Sequence, residues 1–291
     1  MGEITGINLA MQTPMHLDGS IDYARWEELI DIYIDTGIHG LVLGAGTGQH
    51  PYLTREECNK LYEIGSKRVD GRCKLICQTS ALVVDEVIER SKQAQDLGAD
   101  ALMILPPYLE GPEDDDGLFE FYRTIDSHIG IDIIGYNIPQ TTGIGISTEL
   151  FMRLNQLPNF NYIKDSAGDL TTHQEYIATG YNVLNGCDPI TVFAFIAGAQ
   201  GCIWGGANYM PREAVQLYDL VTNGDIPGAM KLWSRMIPSL LCIWRGNYIA
   251  RVKAASRMRG FDAGAVRAPL TALSTEQEAE IAATLESLDQ S

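Results

Sequence analysis

Lys164 stands inside Asn161-Tyr162-Ile163-Lys164-Asp165-Ser166-Ala167-Gly168-Asp169, a strand-like run that ends in a Gly-containing turn. Lysine is rarely buried unless it is paired or used. Burial disfavours the ammonium form, and a neutral amine is the form that attacks a ketone to give an imine. A snorkelling surface lysine is the plain alternative, and two other segments weigh against it. The first is Asp132-Ile133-Ile134-Gly135-Tyr136-Asn137-Ile138-Pro139, followed by Thr141-Thr142-Gly143. It reads as an apolar strand whose end carries a tyrosine and a Pro-containing turn. Tyr136 lies 28 residues before Lys164, about one β/α unit, so adjacent parallel strands would carry the two at the same end. The second is Gly40-Leu41-Val42-Leu43-Gly44-Ala45-Gly46-Thr47-Gly48-Gln49, a strand that runs into a Gly-rich loop. Backbone N–H groups in such loops form anion nests suited to a carboxylate. The next helix is expected near Thr54, because Thr54-Arg55-Glu56-Glu57 reads as an N-cap with acids in the first turn.

These residues need elements to hold them. Strands are expected at 6–13, 40–44, 74–79, 101–106, 132–137, 162–165, 183–186 and 201–205, with helical patterns between them, as at 23–36, 84–97 and 211–223. Glycines in the helix-to-strand turns at Thr36-Gly37, Leu97-Gly98 and Ala199-Gln200-Gly201 suit left-handed helix stops. Eight β/α units in series predict a parallel (β/α)8 barrel, although alternation alone also fits an open doubly wound sheet. Three further helices, expected at 226–244, 248–259 and 275–288, exceed what a barrel needs. The expected division is a barrel over 1–224 and a C-terminal helical extension over 225–291. Strand alternation puts Tyr162, Lys164 and Ser166 on one face and Ile163 and Asp165 on the other. The acidic run Glu113-Asp114-Asp115-Asp116 reads as a solvated helix start.

Composition narrows the function classes. The chain has 291 residues, 45% hydrophobic and 20% charged, and a net charge of −17. An acidic surface argues against nucleic-acid binding, which wants a basic face. The six cysteines form no CxxC pair and no zinc-spaced Cys/His cluster, and read as reduced small hydrophobes of a cytoplasmic protein. No signal peptide is evident, and no apolar run reaches the 18 or so residues that span a bilayer. The histidines do not cluster; His16 and His50, in candidate site loops, are the better guesses for contact with a substrate tail, while His39, His128 and His173 read as flanking or capping.

In order and spacing, these segments resemble the dihydrodipicolinate synthase and N-acetylneuraminate lyase family of class I, Schiff-base aldolases. The similarity runs from about Gly6 to about Leu285. It includes Thr13-Pro14 with Asp18-Gly19 after strand one, Gly186 with Asp188 after strand seven, and Val266-Arg267-Ala268-Pro269-Leu270 near the C-terminus. The resemblance implies a (β/α)8 barrel in which Lys164 forms an iminium with pyruvate or another 2-oxo acid and Tyr136 relays protons. Gly46, Thr47 and Gly48 would hold the substrate carboxylate, with Ser166, Gly186 and Asp188 beside it. It also implies no metal, no cofactor beyond the covalent Schiff base, a small-molecule substrate and a homo-oligomer, dimer or tetramer.

Several positions depart from the family's patterns. Where its loop usually reads Gly-Thr-Thr-Gly-Glu, this chain has Ala45-Gly46-Thr47-Gly48-Gln49. The threonine that relays protons to the tyrosine is therefore Gly46. Leu109 stands where dihydrodipicolinate synthases place a second tyrosine, and Thr141 where they hold a substrate carboxylate with arginine. Losing that arginine contact would cost roughly 1.5–3 kcal/mol. Pro189 and Gly205 depart from the N-acetylneuraminate lyase pattern, and Pro106-Pro107-Tyr108-Leu109 looks more like the sugar-acid dehydratase branch. The expected activity is a Schiff-base lyase acting on pyruvate or a 2-oxo sugar acid by aldol cleavage, condensation or dehydration. The alternatives are condensation of pyruvate with an aldehyde, as in dihydrodipicolinate synthase, and a non-catalytic regulatory 2-oxo acid-binding protein.

Overall fold

The computed structural model describes residues 3–289. Residues 1–2 and 290–291, at the outer limits of the two expected segments, lie outside the described residues.

Eight short strands close into one parallel barrel in chain order, the last pairing with the first. They are β1 (Gly6–Ala10), β2 (Gly40–Leu43), β3 (Lys74–Gln78), β4 (Ala101–Ile104), β5 (Asp132–Asn137), β6 (Phe160–Asp165), β7 (Asn182–Asn185) and β8 (Gly201–Trp204). The closed barrel decides against the open sheet. Most strands stop one to three residues before the sequence pattern does; β4, for example, ends ahead of Pro106 and Pro107, which cannot donate to a ladder. Strand β6 instead begins earlier, at Phe160. That ring fills the space beside Gly135, where an added Cβ would lie 2.3 Å from it.

The helices in chain order are α1 (Tyr23–Ile34), α2 (Arg55–Val69), α3 (Val84–Asp96), α4 (Asp115–Asp126), α5 (Pro139–Thr142), α6 (Thr148–Leu154), α7 (Leu170–Ala178), α8 (Thr191–Ala197) and α9 (Pro211–Thr222). Then come α10 (Ile226–Trp244), α11 (Tyr248–Met258) and α12 (Thr275–Leu285). Local chemistry starts them as expected. Thr54 and Glu57 close a reciprocal capping box at α2, and Asp114 caps α4 by accepting from the Gly117 amide. Gly37 and Gly98 take left-handed conformations at helix ends. The third stop differs: Gly198, not Gly201, ends α8 with a φ of 110°. Gly201 is needed for another reason, since a Cβ there would sit 2.4 Å from the Gly6 carbonyl across the β1–β8 seam.

Strand alternation divides the core into two layers. Ala10, Val42, Ile76, Ala101, Met103, Ile134, Tyr162, Leu184 and Ile203 face the barrel interior. The alternate residues, such as Leu41, Leu75, Leu102, Ile133 and Ile163, pack outward beneath the helices. The Tyr162 hydroxyl accepts from the Ile4 amide at 3.1 Å and closes the floor of the barrel. Helices α10–α12 join the outer layer through Leu232, Trp233, Met236, Leu240, Val252 and Ile281. Among the described residues no helix is long and apolar enough to cross a membrane.

Candidate active site

The parallel register pairs Tyr136 on β5 with Lys164 on β6 and Asn137 with Asp165. The 28-residue spacing is therefore one β/α unit in space. Lys164 is 4% exposed, two residues above the floor tyrosine on the inward face. Its Nζ lies 3.7 Å from the centroid of the Tyr136 ring. Among the described residues Nζ has no hydrogen-bond acceptor.

A cavity of about 470 Å³ opens above this pair. It lies at the C-terminal end of the strands, where barrels of this type carry their chemistry. Space exists because the inward residues become small at this rim. Ala10, Ala45, Gly186 and Gly205 line it, whereas Val42, Ile76 and Met103 fill the interior below. A Cβ on Gly186 would lie 2.1 Å from Ser166 Oγ and 2.5 Å from Lys164 Cε. A Cβ on Gly205 would lie 2.1 Å from the Tyr248 hydroxyl and 3.0 Å from Thr47 Oγ1. These two glycines are cradles: each gives up a side chain so that functional groups from other elements can meet.

The structure gathers Gly46, Thr47, Tyr136, Lys164, Ser166, Gly186 and Asp188 around the cavity. Gly46–Gly48 is a single helical turn, and the first N–H groups of such a turn have no acceptor within it. Ser166 Oγ is buried with no hydrogen-bond partner, so it is available to a bound molecule. Gly48 falls outside this group. Its N–H donates to the Ala45 carbonyl at 2.9 Å, and its carbonyl accepts from Thr13 Oγ1 at 2.7 Å. Its backbone is consumed in holding the turn. His16 and His50 also lie off the cavity wall. His16 is largely exposed near Asp22. The buried His50 ring bonds the Ser80 carbonyl at 3.0 Å, and burial pushes its pKa below the ordinary range.

Two groups escaped the sequence reading. The Tyr248 hydroxyl, from α11, donates to Asp188 Oδ2 at 2.7 Å. Asp188 is 2% exposed, and burial raises its carboxyl pKa to about 6 against the opposing pull of the Tyr248 hydrogen bond and the Lys164 charge. Gln78 at the end of β3 also lines the cavity, with its Oε1 buried and unpaired. Among the described residues, Lys164 and Asp188 are the only charged side chains in the lining. Thr141 stands at the cavity mouth, whereas Leu109 lies on a separate exposed loop, 78% accessible.

Behind the site, Asp165 faces outward and is fully buried. It accepts from Asn137 Nδ2 and bonds His173 Nδ1, each at 2.9 Å. Ser166 N donates to the Asn137 carbonyl at 2.8 Å, and Gly186 N to the Asp165 carbonyl at 2.7 Å. The strand ends bearing Tyr136, Lys164 and Gly186 are thus tied by a buried polar network. His173, read from sequence as a helix flank, is part of it.

The model of the Dihydrodipicolinate synthetase family matches residues 3–288. The 4-hydroxy-tetrahydrodipicolinate synthase of Acidiphilium cryptum is 32% identical over 97% of this chain and 98% of its own. That of Methanothrix thermoacetophila is 32% identical over 95% and 94%. Among solved structures, a pyruvate complex of dihydrodipicolinate synthase from Acinetobacter baumannii superposes with a TM-score of 0.94 at 28% identity, covering 99% of both chains. The chain belongs to the dihydrodipicolinate synthetase family, and so to the Schiff-base-forming class I lyases.

Proposed function

We propose that Lys164 is the imine-forming residue and that the cavity above it receives pyruvate or a larger 2-oxo acid. The observation that carries this reading is a buried primary amine on the inward face of β6, in register beside Tyr136. The substrate carboxylate sits on the Gly46 and Thr47 amides and the Thr47 hydroxyl. The neutral amine attacks the ketone carbon, water leaves, and the iminium draws electrons from the adjacent carbon so that a bond there forms or breaks through an enamine. Tyr136 passes protons between these states, while Ser166 and Asp188 meet the rest of the substrate and Gly186 leaves room for the lysine. The covalent imine supplies the electrophile, so the mechanism calls on no metal and no further cofactor.

The lining favours a hydroxylated substrate over a second anionic one. Beyond Lys164 the described residues place no cation in it, and Thr141 provides a hydroxyl at the mouth. A 2-oxo sugar acid fits this set of neutral donors. The relatives carry the name 4-hydroxy-tetrahydrodipicolinate synthase, which supports a second reading for this chain, condensation of pyruvate with an aldehyde. A non-catalytic regulatory role is the weaker alternative, since lysine and tyrosine are both in place. Residues 1–224 are proposed as the barrel that carries the lysine, and 225–291 as the helical extension that closes the cavity with Tyr248. A cytoplasmic homo-oligomer, dimer or tetramer, completes the proposal, and sedimentation as a compact monomer would count against its assembly.

Borohydride reduction in the presence of pyruvate tests the chemistry. The expected product is one reduced adduct, mapped to Lys164 and absent in Lys164→Ala. No adduct with pyruvate or with a panel of larger 2-oxo acids would overturn the reading in favour of the regulatory one.

A further inference from the structure

Schiff-base formation needs a proton for the departing hydroxyl, and the loop position that could assist Tyr136 is Gly46, which offers none. An added Cβ at Gly46 would meet nothing within 4 Å. The Tyr136 hydroxyl makes no hydrogen bond among the described residues. The Tyr248 hydroxyl, by contrast, reaches into the same cavity from α11 and is bonded to Asp188 at 2.7 Å. Two features of the barrel make room for it. Gly205 lacks the side chain that would collide with the hydroxyl at 2.1 Å, and the same empty volume borders Thr47 Oγ1. The Tyr248 ring also makes a T-shaped contact with Trp244, at 5.8 Å, which restricts its orientation.

Building on the imine chemistry proposed for Lys164, we propose that Tyr248 and Asp188 form its proton-delivery pair. When the Lys164 nitrogen has bonded to the ketone carbon, one of its protons passes to the former carbonyl oxygen, which becomes a hydroxyl. As the nitrogen lone pair forms the C=N bond, the C–O bond breaks and this hydroxyl takes the Tyr248 proton to leave as water. Protonated Asp188 returns a proton to the Tyr248 oxygen and is left as the carboxylate. Hydrolysis of the iminium runs the same transfers backwards.

Burial raises the Asp188 carboxyl to about 6, which brings the protonated donor into the mildly acidic range. The groups that face Asp188 are Lys164 on β6, Cys187 beside it, Cys202 on β8, Tyr209 after β8 and Tyr248 on α11. Lys164 favours the carboxylate; the tyrosines and thiols are neutral in this range. The pair therefore carries its extra proton below about pH 6 and loses it as pH rises through that value.

The test is the rate of adduct formation, read by mixing enzyme with pyruvate, quenching with borohydride at intervals and weighing the intact protein. Tyr248→Phe should form the Lys164 adduct roughly 10²-fold more slowly below pH 6 and reach the same final yield. The wild-type to variant rate ratio should fall towards one as pH rises through 6. A merely structural role would lower the yield or the melting temperature and leave this ratio flat. Asp188→Asn, which keeps a partner for Tyr248 but cannot shuttle a proton, should behave like Tyr248→Phe and replaces it if that variant fails to fold. Wild-type rates and pH dependence in either folded variant would overturn the pair. Absence of any adduct in the wild type would instead sink the Schiff-base reading, and the pair with it.

Discussion

Gly186 decides how close Lys164 and Ser166 can come, and Gly46 decides nothing of the kind. The two glycines border the same cavity, yet a Cβ meets Ser166 Oγ and Lys164 Cε at the first and open space at the second. Gly186→Ala should therefore push the lysine side chain off its line and slow adduct formation by about 10²-fold, the usual consequence of displacing a reacting group by an ångström. Gly46→Ala should leave the lysine side chain where it is, since its methyl group meets no protein atom within 4 Å, and any loss should appear in affinity for the 2-oxo acid. Equal loss in both would show that loop flexibility, not clearance at the lysine, is what matters. Lys164 and Tyr136 were legible in sequence because strand period and one β/α spacing translate directly into register. Asp188 and Tyr248 were not legible as a pair. They lie 60 residues apart in sequence, and Tyr248 opens a helix whose pattern reports its packing and not its tip. Gly48 lies off the cavity for a local reason, since the turn that exposes the Gly46 end uses the Gly48 amide.

At the level of elements, the motifs Asp18-Gly19 and Val266–Leu270 were visible in sequence without a purpose, and Arg267 supplies it. Its guanidinium binds both Glu57 carboxylate oxygens at 2.6 and 2.7 Å. It also donates to the Gly19 carbonyl at 2.9 Å and the Tyr52 carbonyl at 2.8 Å. Gln49 clasps the Arg267 backbone in both directions, at 3.1 and 3.2 Å. One arginine thus ties the loops after β1 and β2, the first turn of α2 and the segment ending at Leu270, which lines the cavity. The same contact holds the Glu57 carboxyl below the ordinary range. Arg267→Leu should cost about 2–3 kcal/mol, because it strands a half-buried carboxylate and several carbonyls. Arg267→Lys should recover less than half of that, since an ammonium cannot make the bidentate contact. Urea unfolding of the two variants checks both values, and a loss below about 0.5 kcal/mol for leucine, the size of an ordinary surface change, would show that the clamp is dispensable.

For the whole molecule, the question is whether the barrel is a folding unit without the helices that follow it. The eight-strand closure was foreseeable from the alternation of patterns, but the dependence of the barrel on α10–α12 was not, because amphipathic helices do not announce which surface they cover. The structure gives three reasons for dependence. Leu232, Trp233, Met236, Leu240 and Ile281 belong to the same buried layer as the barrel helices. Lys253, 3% exposed, donates to the Thr13, Ala263 and Ala265 carbonyls at 2.7, 2.9 and 2.5 Å, so α11 satisfies a carbonyl of the loop leaving β1. Tyr248 occupies the volume left by Gly205. Removing 225–291 would open an apolar face across α8 and α9, leave buried carbonyls unpaired and unroof the cavity. A protein ending at residue 224 should therefore bind a hydrophobic dye, show no cooperative melt and form no Lys164 adduct with pyruvate. A sharp melt with retained near-ultraviolet dichroism would establish the barrel as autonomous. An adduct in that fragment at the wild-type rate would further show that the imine forms without Tyr248, separating the stability of the fold from its chemistry.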